Sequence, residues 1–238
     1  MFMTMKRKAG LAMTAFVVAA NVPFAMLVET FGYDDVLREP PLEVLAAFNA
    51  GGPKLILIWL AFALVALSFL WVSSWTGEAV KQAGGRWPQW VAAAGAASAV
   101  AQAVGLLRWV FVVPGLADQA LGGDAATSAA AVVFYQGMHQ FAGVGVGEWL
   151  GQTLLAAWTL GFGLTLLKGG MWSKMLGGIG LILTPLWIVG HAELLASVDP
   201  SFPDFQIAQW VFSGWLVWLL AVGLTWTFAR TKRLDAAE

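Results

Sequence analysis

Six apolar runs, each about 20 residues long, restrict the folds that are open to this chain. A helix rises about 1.5 Å per residue, so about 20 apolar residues cross the hydrocarbon layer of a bilayer, which is about 30 Å thick. Only 11% of the residues are charged, whereas a soluble domain averages about 25%. The sequence therefore predicts an all-α, polytopic membrane helical bundle with six transmembrane helices. The predicted spans are 9–31, 54–72, 88–113, 148–167, 172–196 and 206–229.

The basic residues indicate how such a bundle is oriented. If the N-terminus is cytoplasmic, every inner connection is short and basic, and ten of the thirteen Lys and Arg residues lie on the cytoplasmic side. These ten are Lys6, Arg7, Lys8, Lys81, Arg86, Lys168, Lys174, Arg230, Lys232 and Arg233. Positive charge accumulates on the cytoplasmic side of membrane proteins. The sequence therefore predicts a single integral membrane domain over residues 1–238, in a cell inner membrane, with both termini in the cytoplasm.

Two longer connections, 32–53 and 114–147, are predicted on the outer side. The second becomes periodic near its end, with apolar residues on one helical face and polar residues on another. The apolar face carries Phe134, Met138 and Phe141, and the polar face carries Gln136, His139, Gln140 and Gly143. This pattern predicts an outer amphipathic helix that lies at the interface or over the bundle.

A glycine-rich run, GVGVGEWLG, begins at Gly143 and ends at Gly151. It is superficially similar to a dinucleotide-binding turn, but it follows a helix and enters a membrane span, whereas that turn joins a strand to a helix. We therefore reject a nucleotide site. Gly143, Gly147 and Gly151 recur at every fourth position, which places them on one face and predicts the close approach of a neighbouring helix.

Polar residues inside a membrane are costly, so their positions are informative. Three predicted spans carry polar or indole groups at helical spacing, mostly near their outer ends. These stripes are Glu148, Gln152 and Thr159; Thr184, Trp187 and His191; and Gln206, Gln209 and Ser213. If the stripes face inward, the helices enclose a polar pocket that opens toward the outer side. The candidate ligand-binding residues of this pocket are Arg108, His139, Glu148, Gln152 and His191.

Other interpretations of these residues remain open. Arg108 and Glu148 could form an ion pair that only fixes helix register, or Arg108 could extend to the lipid headgroups. Donor atoms for zinc or non-haem iron are also present, and a haem could bind between two histidines. These donors belong to His139, His191, Glu148 and Glu193. Their spacing matches no known ligand pattern, so we expect neither a metal ion nor another cofactor.

Catalytic motifs are absent from the sequence, which has no GxSxG, no HExxH, no P-loop and no cysteine. The basic residues form short clusters rather than a long stripe, which argues against nucleic acid as a partner. The sequence favours a non-enzymatic membrane protein that binds or passes a small or lipophilic molecule, or that serves as a subunit of a membrane complex. Its expected partners are the lipid bilayer and such a ligand or subunit. The alternative is an intramembrane enzyme, or a metal or haem protein, that uses His139, Glu148 and His191.

A further pattern occupies two segments, LRWVFVVPGLA (106–116) and FYQGMHQFAGVGVGEWLGQTLLAAWTLGFGL (134–164). It combines an Arg-Trp pair before a proline, a histidine in an outer helix, and a Gly-Glu pair at the start of the next span. The residues that carry it are Arg108, Trp109, Pro114, His139, Gly147 and Glu148. In these features the chain resembles DUF4386, a bacterial multi-pass membrane family catalogued only as a domain of unknown function. The resemblance extends over most of the chain, and it implies no particular reaction or ligand.

Overall fold

The computed structural model describes residues 3–33 and 35–229, and this part of the chain is almost entirely helical. Its α-helices are α1 (Met5–Phe31), α2 (Pro41–Gln82), α3 (Pro88–Phe111), α4 (Val113–Gly122), α5 (Ala125–Met138), α6 (Gly151–Leu166), α7 (Met171–Ala196) and α8 (Ala208–Phe228). A short 3₁₀ turn, Asp35–Arg38, follows α1, and a π-helix, His139–Leu150, joins α5 directly to α6. The predicted all-α class is confirmed. The basic residues predicted at the C-terminus, Arg230, Lys232 and Arg233, lie outside the described residues.

Six of the helices form a closed ring in chain order. α1 packs against α2, α2 against α3, α3 against α6, α6 against α7, α7 against α8, and α8 against α1. Large apolar side chains cover the outside of this ring; Leu57, Ile182, Ile188 and Val217 are each at least 62% exposed. A soluble protein rarely exposes apolar side chains on this scale, whereas lipid covers them without cost.

Five of the described helices are long and apolar enough to cross a membrane. They are Met5–Phe31, Pro41–Gln82, Pro88–Gly122, Met171–Ala196 and Ala208–Phe228, and each overlaps one predicted span. The remaining predicted span, 148–167, is divided between the end of the π-helix and the 16-residue α6. The chain is therefore a multi-pass membrane protein.

The first predicted outer connection, 32–53, is mostly helical. α2 begins at Pro41 and bends sharply at Gly52, where φ is 56° and ψ is −155°. Glycine adopts this conformation without the steric penalty that a side chain would add, and the following Pro53 has no amide hydrogen to donate to the preceding turn. The segment before the bend is thus a separate helical arm at one end of the bundle.

The second predicted outer connection, 114–147, is also helical. α4 and α5 pack against each other as a hairpin. Asp124 caps α5, because its side chain accepts a hydrogen bond from the Thr127 amide at 2.8 Å. The predicted amphipathic helix corresponds to α5 and the first residues of the π-helix. It continues without a break into the next predicted span, so it is not a separate element.

Two apolar cores follow from this arrangement. One fills the ring and is dominated by aromatic side chains, including Phe69, Trp158, Phe162, Trp187, Trp215 and Trp218. The other joins the end of α1, the arm of α2, the end of α3, α4 and α5. In this second core the indoles of Trp59 and Trp109 stack at 4.9 Å between centroids, and Phe48 stacks on Trp109 at 5.6 Å. This core fixes the end of the bundle that carries the candidate site.

The predicted polar stripes do not all face inward. The buried stripe residues are Thr159, Thr184, Trp187 and His191, and the exposed ones are Gln206, Gln209 and Ser213. The condition that every stripe faces inward is therefore not met by α8. Its buried face carries Trp215 instead, whose indole N–H donates to Thr159 Oγ1 at 2.9 Å. The indole supplies both apolar area and one hydrogen bond, which the short polar side chains cannot combine.

Candidate ligand-binding site

Arg108 is the only described Lys, Arg, Asp or Glu side chain that is buried, with 6% of its surface exposed. It lies in the last turn of α3, where its Nη1 donates to the carbonyl oxygen of Gly105. Its Nη2 lies 3.4 Å from Nδ1 of His139, within hydrogen-bond distance. Since the guanidinium is held inside the protein, the alternative that Arg108 extends to lipid headgroups is wrong.

Glycines make the space that this guanidinium occupies. A Cβ atom on Gly143 would lie 2.5 Å from Cζ of Arg108, far inside van der Waals contact. A Cβ atom on Gly105 would lie 2.7 Å from Cα of Gly147, so the backbones of α3 and the π-helix touch at this point. Gly151 also faces α3. The predicted close approach along the glycine face is confirmed, and it forms one side of the Arg108 site.

The surroundings of Arg108 are aromatic and acidic. The Cζ atom lies 5.1 Å from the ring centroid of Trp109, and the guanidinium interacts electrostatically with Glu148, Tyr33 and Tyr135. A carboxylate in electrostatic range stabilises the charged guanidinium and offsets part of the cost of burying it. Glu148 is thus placed to act as the counter-charge. A direct ion pair between Arg108 and Glu148 stays a prediction.

The carboxylates that compete for Arg108 have other surroundings. Glu29 is exposed near the end of α1. The carboxylate of Glu193 accepts hydrogen bonds from the amides of Ile207 and Ala208, the latter at 3.1 Å, at the start of α8. The first amides of a helix have no partner within the helix and carry partial positive charge. Glu193 therefore satisfies the α8 terminus, which accounts for it without any metal ion.

His139 presents a defined tautomer. A guanidinium can only donate, so Nδ1 of His139 accepts, and in the neutral ring the proton resides on Nε2. Burial, and secondarily the charge of Arg108, lower the pKa of His139, which precedes the predicted span, to about 4. The imidazole is therefore neutral near pH 7. It offers one N–H donor on the side of the ring opposite to Arg108.

A cavity of about 320 Å³ lies beside His139. Its wall comes from the turn before α2, the start of α2, the α5 and π-helix segment, and the end of α7. The wall residues are Leu37, Glu39, Pro41, Val44, Tyr135, Gln136, His139, Gln140, Ser197 and Val198. Gln140 Nε2 donates to Ser197 Oγ at 3.0 Å, which joins the π-helix to the end of α7. Cavities of about 300 to 1,000 Å³ with a few polar groups are typical of small-molecule sites.

The other two candidate residues lie in separate contacts. His191 is buried, with its Nδ1 3.3 Å from Thr153 Oγ1, and its Nε2 has no partner among the described residues. Gln152 accepts a hydrogen bond from the indole of Trp187 at 3.2 Å. Neither residue lies in the wall of the cavity. The structure brings Arg108 and His139 into contact and places Glu148 within electrostatic range of Arg108. The shared role of all five residues stays a prediction.

The donor atoms proposed for a metal ion do not converge. Within the described ranges, no three His, Cys, Asp or Glu side chains are grouped so that they could hold a metal ion. The arrangement therefore supplies no ligand set for the metal alternative in this part of the chain.

Some residues of the cavity wall were predicted from the sequence, and others were not. Gln136 and Gln140 were placed with His139 on one helical face, and that face does line the cavity. Glu39 and Ser197 come from segments far away in the sequence, and no spacing or motif connects them to His139. Tyr135 stands four positions before His139, and their ring centroids lie 5.7 Å apart. This helical spacing was the one available signal.

The comparison with known families gives one result. Residues 8–223 match the family described as "Domain of unknown function (DUF4386)", and the chain belongs to this family. The resemblance expected from the sequence is confirmed. No match is found among the curated proteins or among the solved structures.

Proposed function

We propose that this DUF4386 protein is a six-span membrane protein that binds a small molecule in the cavity beside His139. One observation carries the proposal: a buried guanidinium, that of Arg108, holds the imidazole at the cavity wall. Burying a charge is costly, and apolar packing alone often fixes helices equally well. A side chain that bears this cost and positions a polar group at a cavity is better explained by recognition of a ligand.

The closed ring supports the sixth span. α6 is flanked by α3 and α7, both of which are apolar and long enough to cross the membrane. An α6 of 16 residues falls short of the length required, but the π-helix continues it without a break. In this arrangement the outer amphipathic helix is α5, which continues into the π-helix and α6.

The position of the basic residues supports an inner-membrane protein with both termini in the cytoplasm. Lys168 Nζ donates to the carbonyl oxygen of Gly84 at 2.8 Å, so the α2–α3 and α6–α7 turns meet. Lys6 lies 6.0 Å from the ring of Trp226, which places the start of α1 beside the end of α8. These basic elements share one end of the bundle, and the cavity lies at the other. By the positive-inside rule the cavity then opens on the extracytoplasmic side.

A cavity-filling variant tests the binding function. Gln136 is an exposed wall residue, so Gln136→Trp fills the cavity without disturbing a core. Val133→Trp is the control, because Val133 is 68% exposed on the same helix and is not a wall residue. A library of small polar and amphiphilic molecules is screened by thermal unfolding in detergent. We expect at least one compound to stabilise the wild type and the control through binding to the folded state, and not Gln136→Trp.

Two outcomes would contradict the proposed function. One is that no compound stabilises the wild type. The other is that the active compounds stabilise Gln136→Trp as strongly as the Val133→Trp control, which would place their site elsewhere.

A further inference from the structure

The cavity wall carries a single charge among its described residues, the carboxylate of Glu39. Glu39 is exposed and lies between the 3₁₀ turn and α2. The neighbouring Arg38 is engaged with Asp35, since Nη1 lies 2.9 Å from Oδ1, and it is not a wall residue. A carboxylate at the wall of a small cavity stabilises a positive group there.

Negative charge is also in excess over the whole cavity end of the bundle. The described acidic residues at the cavity end of the bundle are Glu29, Asp35, Glu39, Glu43, Asp118, Asp124, Glu148, Glu193, Asp199 and Asp204. The described basic residues at that end are Arg38, Lys54 and Arg108. An excess of one charge around a cleft raises the local concentration of ligands of the opposite charge. The field therefore favours the entry of cations.

A second wall residue, His139, requires a different group on the ligand. His139 presents the proton on Nε2 as a donor, because Arg108 occupies Nδ1. A ligand without an acceptor would bury this donor unpaired, which is unfavourable. The charge of Arg108 behind the ring also repels a cation from this part of the cavity. A ligand thus fits best with its positive end at Glu39 and an acceptor at His139.

We infer that the cavity binds a small organic cation that also carries a hydrogen-bond acceptor. The cationic group lies against the Glu39 carboxylate, and the acceptor takes the hydrogen bond from Nε2 of His139. The cavity volume of about 320 Å³ restricts the ligand to a small molecule. This inference deepens the proposed function and rests on it.

Matched probes test the charge and the acceptor separately. Choline has both features, its carbon isostere dimethylbutanol lacks the charge, dimethylbutanoate carries the opposite charge, and ethyltrimethylammonium lacks the hydroxyl. Affinities for the full chain in detergent are measured by calorimetry. We expect choline to bind about fivefold to tenfold more tightly than dimethylbutanol and ethyltrimethylammonium, and dimethylbutanoate to bind most weakly.

A pair of matched variants locates the charge effect. Glu39→Gln keeps the size of the side chain and removes its charge, so choline affinity should fall to that of dimethylbutanol. Glu43→Gln removes a charge from an exposed site on the same arm that is not in the wall, and it should change choline affinity less than twofold. Equal effects of the two variants would overturn the inference.

The failure of the inference is distinguishable from that of the proposed function. If a library compound binds in the cavity while choline binds no better than dimethylbutanol or dimethylbutanoate, the ligand class is wrong and the cavity remains a binding site. If neither the library nor the probes bind, both proposals fail.

Discussion

The burial of Arg108 is compensated by groups that lie in α3 itself and in the π-helix. Gly105 accepts one hydrogen bond, and His139 is positioned to accept another. Glu148 supplies negative charge within electrostatic range. Because the other nearby carboxylates are exposed or hydrogen-bonded to the start of α8, Glu148 is the best available counter-charge. The site is therefore a compact unit of α3 and the π-helix.

We predict that Arg108 and Glu148 form an ion pair across these two elements. Removing one member of a buried pair leaves the other uncompensated, at a cost of about 3 to 5 kcal/mol, and less where water enters. Arg108→Met and Glu148→Gln should therefore each lower thermal stability in detergent. The double variant should lose clearly less than the sum of the two single losses, which a double-mutant cycle measures. Strict additivity would mean that the two side chains do not interact.

The π-helix is the element that distinguishes this bundle from a ring of regular helices. Most π-helices are a single turn, and they occur frequently at functional sites. Here the π-helix covers 12 residues, begins at His139, and includes Gly143 and Gly147, which face α3. Without side chains at these two positions, α3 approaches closely enough for Arg108 to reach His139. The element thus sets the distance between the cation and the cavity wall.

Gly105→Ala tests this close approach. The new Cβ atom would lie 2.7 Å from Cα of Gly147, so the backbones of α3 and the π-helix must separate, and the distance from Arg108 Nη2 to His139 Nδ1 must lengthen. Overpacking of this kind costs about 1 to 3 kcal/mol. Gly145→Ala is the control, since its Cβ atom would have 3.5 Å to the nearest atom, the carbonyl oxygen of Gln140. We expect thermal unfolding in detergent to show a clear loss for Gly105→Ala alone, and equal stability of the two variants would contradict the packing argument.

At the scale of the whole molecule, hydropathy and the cost of burying charge predict which segments span the membrane. They do not predict how distant segments pack together. The spans, and the choice of Arg108 as a candidate residue, follow from the free-energy cost of placing polar groups in lipid. This cost applies to each residue whatever its neighbours are. The wall positions of Glu39 and Ser197 depend on how distant segments pack, and no local pattern encodes that. The cap made by Glu193 depends on where α8 begins, and the exposure of Gln209 on which face of α8 carries its tryptophans. Sequence periodicity alone settles neither.

The number and direction of the spans are open to direct labelling, because the chain contains no cysteine to give a background. Probe positions follow from the structure. Gly84 is unsuitable because its φ of 67° disfavours a side chain, and a Cβ atom on Gly123 would lie 2.6 Å from a backbone oxygen. Ala83, next to Gly84, and Ala126, three positions after Gly123, are both exposed. Ala229 follows the end of α8.

We predict that Ala126→Cys reacts with an impermeant maleimide in intact cells, whereas Ala83→Cys and Ala229→Cys react only after the membrane is permeabilised. Short basic connections remain cytoplasmic, and Ala83 lies beside Lys81 and Arg86. Ala229 decides the count: with six spans it shares the side of Ala83, whereas with five it is labelled in intact cells together with Ala126. Reversed labelling of Ala83 and Ala126 would place the cavity on the cytoplasmic side. A ligand would then have to reach Glu39 and His139 from inside the cell, so this measurement also determines which compartment supplies it.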